Sequence, residues 1–124
     1  MDLLTFREID DVVVVSFNQV KILDESVIRQ IGQEFENLTL QAAAGRKLLL
    51  DFSRVGFMSS AMIGQIMRLH KQCKQDKITL KLCNISPNIM EVFQITGLTK
   101  VLSIYPDSVK ALDAFGPPSV GWNR

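Results

Sequence analysis

Residues 47–64 read KLLLDFSRVGFMSSAMIG. Leu48, Leu49, Leu50 and Phe52 follow one another without polar alternation. A short unbroken apolar run suits a strand covered on both faces, as in a parallel sheet. Beyond the serines the period changes. Met62, Ile63, Ile66, Met67, Leu69 and Cys73 recur at helical steps, with His70 among them. Strand, loop and helix therefore follow in order, and Ser59 and Ser60 fall at the loop-to-helix junction. Functional groups of open α/β sheets gather beyond the carboxyl ends of strands, which is where these serines lie. Two readings stand at this point. Serine is among the commonest helix caps. It is also a phosphoacceptor, and the unpaired N–H groups and partial positive charge of a helix start tolerate a phosphoryl group. The same charge, set among the apolar residues Val55, Phe57, Met58 and Met62, would repel a partner pressed against them.

The flanking sequence extends the pattern. Leu3 to Ile9 alternates, EIDD is a turn signal, and Val12 to Phe17 is a β-branched run, so the N-terminus reads as an antiparallel hairpin. Asp24 is a good helix cap. After it Val27, Ile28, Ile31, Phe35 and Leu38 make an apolar stripe, giving a helix to about Leu40 with Gly45 near its C-terminal cap. On the far side, ITLKLCNI alternates as a strand. SPN then starts a helix with Ser86 as cap and Pro87 in its first turn, an inner stripe of Ile89, Val92, Phe93 and Thr96, and Gly97 as its end. VLSIY is a short strand and PDSVKALDAF a last helix. The order is ββαβαβαβα: an α/β fold, a mixed β-sheet made of an N-terminal hairpin plus parallel strands, with helices packed on it. Residues 1–115 form a single domain, and 116–124, which include Trp122, form a C-terminal tail.

Bulk properties narrow the function. The chain has 124 residues, 47% hydrophobic and 22% charged, with a net charge of +1. One domain of that size buries a core without disulfides. The charge gives no electrostatic reason to expect nucleic acid or an anionic membrane as partner. No apolar run nears the roughly 20 residues of a membrane helix, and the acidic N-terminus is unlike a signal peptide, so a cytoplasmic protein without membrane insertion is expected. Cys73 and Cys83 lie inside apolar patterns, away from CxxC spacing, and read as small buried thiols. With one histidine, a zinc site is hard to assemble, and neither a metal nor a cofactor is expected. There is no GxxxxGK[ST], GxGxxG or GxSxG. His70 reads as a structural imidazole. Asp51 ends a strand but has no nucleophile or metal set to serve, so no enzyme is expected and no catalytic residue is assigned.

Two blocks, LLLDFSRVGFMSSAMIGQIMRL and LKLCNISPNIMEVFQITGLTKVLSIYPDSVKAL, resemble STAS domains of the anti-sigma factor antagonist type. The likeness runs from about Leu3 to Phe115. It is strongest at Val92, Phe93, Thr96, Gly97, Leu98, Val101, Leu102 and Asp107. The resemblance implies a bacterial regulatory protein that binds an anti-sigma factor with serine-kinase character, is released from it by phosphorylation of one serine, and is restored by a serine phosphatase. The family pattern D-S-[ST]-G-L puts its aspartate at Ser59, its phosphoacceptor at Ser60, its second hydroxyl at Ala61, its glycine at Met62 and its leucine at Ile63. Ser60 is thus the expected phosphorylation site, with Ser59 as fallback, and Phe57, Met58, Ser59, Ser60 and Met62 the expected partner-binding patch. The departures at Ser59, Ala61 and Met62 keep a second expectation open, a STAS scaffold that is never phosphorylated. STAS domains also occur with membrane transporters, so a soluble transporter-associated subunit is the third.

Overall fold

The run Leu48–Leu50 is unbroken because helices cover both faces of the strand it forms. The computed structural model describes residues 3–42 and 46–117. The main sheet holds β1 (Leu4–Ile9), β2 (Val12–Phe17), β4 (Lys47–Asp51), β6 (Thr79–Cys83) and β7 (Ile104–Tyr105), in the order β1-β2-β4-β6-β7. β1 pairs antiparallel with β2, Leu4 opposite Phe17 and Ile9 opposite Val12. Asp10 and Asp11 join them with φ of 49° and 64°. Paired left-handed residues suit the right-handed twist of a tight hairpin, and aspartate tolerates that region. The other pairings are parallel.

Strand alternation sorts the core. Val15, Phe17, Leu48, Leu50, Leu80 and Leu82 join one large cluster with Ile28, Ile31, Phe35 and Leu38 of α1 (Glu25–Ala42). The same cluster takes Met62, Ile66, Leu69 and Cys73 of α2 (Ser60–Gln75) and Ile89 and Phe93 of α3 (Pro87–Ile95). Phe17 stacks on Phe52 at 4.6 Å between ring centres and meets Phe35 edge-on. Val12, Val14, Leu49 and Cys83 form a smaller cluster with Ala111 of α4 (Ser108–Phe115). Hence three helices cover one face and one short helix the other.

The elements match the expected order, with three differences. First, two strands of two residues each, β3 (Lys21–Ile22) and β5 (Phe57–Met58), pair in parallel as a separate small sheet. Segments this short carry no periodicity, so only the spatial neighbour creates them. Second, VLSIY is a strand only at Ile104–Tyr105, behind a 3₁₀ turn at Leu98–Lys100 that follows Gly97 in the left-handed region (φ 79°). Third, the inner stripe of α3 is narrower than its sequence suggests. Ile89 and Phe93 are buried, whereas Val92 and Thr96 are exposed, since this helix presents only one i, i+4 pair to the core. Gly45 and residues 118–124, Trp122 included, lie outside the described residues. No helix among the described residues is long and apolar enough to cross a membrane.

Candidate functional site

The serine junction begins at the carboxyl end of β4. There the Asp51 carboxylate is buried and accepts from the Ser53 N–H (3.0 Å) and the Asn84 side-chain amide (3.0 Å). The loop then turns back along β3. The N–H groups of Gly56 and Phe57 both donate to the Val20 carbonyl, at 2.8 and 3.1 Å, and the Ser59 N–H donates to the Ile22 carbonyl at 3.0 Å. The small β3–β5 sheet is therefore the bracket that holds the junction.

The two serines have opposite environments. Ser59 occupies the cap position of α2, and its carbonyl accepts from the N–H groups of Met62 and Ile63. Its hydroxyl makes no cap bond, is enclosed, and has no partner. Ser60 is the first residue of the helix and is exposed. The fallback site Ser59 thus presents an enclosed hydroxyl, whereas the first-choice site Ser60 lies on the surface. The capping reading holds in position, since Ser59 is the cap residue, but its side chain makes no cap bond.

The expected patch divides in the same way. Phe57 is half exposed (50%), with the Lys21 ammonium 5.6 Å from its ring centre, and Met58 is half-buried. Met62, expected on the surface, is fully buried (0%) in the large cluster, and Val55 is buried as well. The physical reason is helix phase: Met62, Ile66, Leu69 and Cys73 share the inward stripe of α2. Where the family pattern has glycine, this chain therefore fills its core rather than its surface.

Beside Phe57 and Met58 runs an apolar groove of about 190 Å³, completed by Leu23, Ile63, Asn88, Ile89 and Val92. Leu23 and Asn88 were not expected in this place, and Val92 was expected in the interior. Val92 and Ile95 lie three apart on α3, and both are exposed.

Other reactive groups stand apart from the site. Burial pushes the Cys73 and Cys83 thiols up to about 12, with Asp76 adding to the first and Asp51 and Asp107 to the second. Neither thiol supplies a thiolate near neutral pH. His70 is held below its ordinary value, first by desolvation and then by Lys74. It lies on α2 beside Cys73 and Ile78, away from the serines.

Comparison with known proteins bears on the family and the fold. The family model described as STAS domain matches residues 32–111. A Bordetella bronchiseptica protein, BtrV, which carries the name anti-sigma factor antagonist, is 32% identical over 104 residues, covering 83% of each chain. A solved anti-sigma-factor antagonist (STAS) domain protein of Planctomyces limnophilus superposes with a TM-score of 0.73 at 28% identity, over 90% of this chain and 96% of its own. The Bacillus protein SpoIIAA in its phosphorylated form shares the fold, with a TM-score of 0.67 at 20% identity, over 90% of this chain and 98% of its own.

Proposed function

The chain belongs to the STAS domain family, and on that premise we propose that it is an anti-sigma factor antagonist switched by phosphorylation of Ser60. The observation that carries the reading is the contrast at the junction: one serine enclosed, the next exposed at the start of α2 beside an apolar groove. Unmodified, the surface of Phe57, Met58, Leu23, Ile63 and Val92 docks an anti-sigma factor of serine-kinase character. The relatives' names as anti-sigma factor antagonists support this partner class. Phosphorylation adds about −1.5 to −2 charge at pH 7. The helix start accommodates that charge, whereas a desolvated partner surface does not. Leaving a charge unpaired in an interface costs about 2–5 kcal/mol, so the partner dissociates at cellular concentrations. A serine phosphatase returns the chain to its binding form. The protein acts by binding, in the cytoplasm, and not by catalysis.

Replacement of Ser60 by Asp tests the switch. Affinity for the anti-sigma factor captured from the native host is expected to fall at least about 30-fold, the lower end of that cost. Undiminished binding rejects the proposal. The intact mass of the chain from its own cells provides the second measurement, with a species about 80 Da heavier expected, one phosphoryl group. Its persistent absence favours the unphosphorylated scaffold, a reading supported by Ser59 standing where the family pattern has aspartate.

A further inference from the structure

The first turn of α3 holds the loop that carries the serines. Ser86 sits at the cap position of α3, but its hydroxyl bonds none of the free N–H groups there. It donates instead to Asn88 Oδ1 at 2.7 Å. This fixes the amide so that Asn88 Nδ2 donates to the Gly56 carbonyl at 2.8 Å. The N–H of the same peptide unit, that of Phe57, donates to the Val20 carbonyl. The 56–57 peptide is thus clamped at both ends, by Val20 just ahead of β3 on one side and by α3 on the other. A planar unit held at both ends cannot rotate. Its orientation aims Phe57 outward and hands the chain on to Ser59 and Ser60. Ser86 forgoes a helix cap, commonly a favourable interaction, and its hydroxyl holds Asn88 instead.

We propose that Asn88, oriented by Ser86, is the positioning residue of the switch: it clamps the 56–57 peptide so that Ser59 faces inward and Ser60 outward. The inference rests on reading Ser60 as the modified residue. Asn88 also lines the apolar groove, so an occupant of the groove touches the clamp directly.

Asn88→Asp separates positioning from structure. It keeps the size and the acceptor for Ser86 but removes the donor to Gly56. As the second residue of α3, a carboxylate there favours the helix. Amide hydrogen exchange of the isolated protein is then expected to quicken at Phe57 and Ser59 by about fivefold or more, the effect of one lost hydrogen bond. Exchange in β4 and β6 and the thermal midpoint are expected to hold. Ser86→Ala is expected to give a smaller increase at the same two amides. Unchanged exchange at Phe57 and Ser59 overturns the clamp, and so does a general acceleration with a lowered midpoint. In native cells, Asn88→Asp is expected to lower the phosphorylated fraction of Ser60 several-fold, and equal fractions overturn the proposal. A wild-type chain without phosphate defeats the switch reading alone, since the exchange measurement still decides the clamp.

Discussion

Helices α1 and α4 begin differently from α2 and α3. Asp24 caps α1 by accepting from the N–H groups of Ser26 (2.8 Å) and Val27 (3.3 Å) and from the Ser26 hydroxyl (2.6 Å). Asp107 caps α4 by accepting from the Lys110 N–H at 2.9 Å. These starts are sealed by their own sequence. Ser59 and Ser86 stand in the same position on α2 and α3, and neither side chain caps. Both uncapped starts meet at the candidate site, where tertiary ties take over: the Ile22 carbonyl on Ser59, Asn88 on Gly56, and the burial of Met62. Local capping is given up at the serine junction, and packing and tertiary hydrogen bonds hold the helix start instead.

The largest expected effect tests that last clause. If burial holds the start of α2, Met62→Ala costs about 2–5 kcal/mol in chemical denaturation, the range for truncating a buried side chain. Phe57→Ala at the exposed edge should move stability by under about 1 kcal/mol while weakening partner binding. A small loss at Met62 would return that residue to the surface patch. Next, Asp107→Ala is expected to cost about 0.5–2 kcal/mol, as removal of a working cap does. A loss below that range would erase the distinction between sealed and unsealed starts.

Acid titration sharpens the comparison further. The Asp24 carboxyl is held below its ordinary value of 3.8, chiefly by the Ser26 hydroxyl, then by the N–H groups of Val27 and Ser26. Folding therefore favours the charged form. Its contribution is complete above the unfolded value and fades as pH falls through the lower folded one. Asn caps without titrating, so Asp24→Asn should flatten the stability–pH curve in that acid range, with its loss showing at neutral pH, where the charged form contributes in full. An unaltered acid limb would show that this cap contributes nothing. The smallest effect belongs to Ser59→Ala. Its hydroxyl is enclosed without a partner, so removal should change stability by less than about 0.5 kcal/mol or raise it slightly. A loss of about 1 kcal/mol or more would mean that Ser59 caps after all.

The same contrast explains how far the sequence could be read. The apolar run Leu48–Leu50, the alternation of Thr79–Cys83 and the helical stripe of Ile28, Ile31, Phe35 and Leu38 announced the sheet and its helices, because burial imposes a period on every such segment. The position of the junction, between the end of β4 and the start of α2, was legible from the change of period across Ser59 and Ser60. The groove was not. It joins Leu23, Phe57, Asn88 and Val92 from three separate segments, and no local period encodes their meeting.

Residue pattern alone determined the mixed α/β sheet, the place of the serines beyond a strand end, and the Asp24 cap, since each depends on neighbours within a few positions along the chain. Only the folded molecule decided that Met62 faces the core, that Ser59 is enclosed while Ser60 is open, and that two-residue strands at Lys21–Ile22 and Phe57–Met58 pair. Those outcomes depend on helix phase against a particular sheet and on carbonyls contributed by distant segments, which no short stretch specifies.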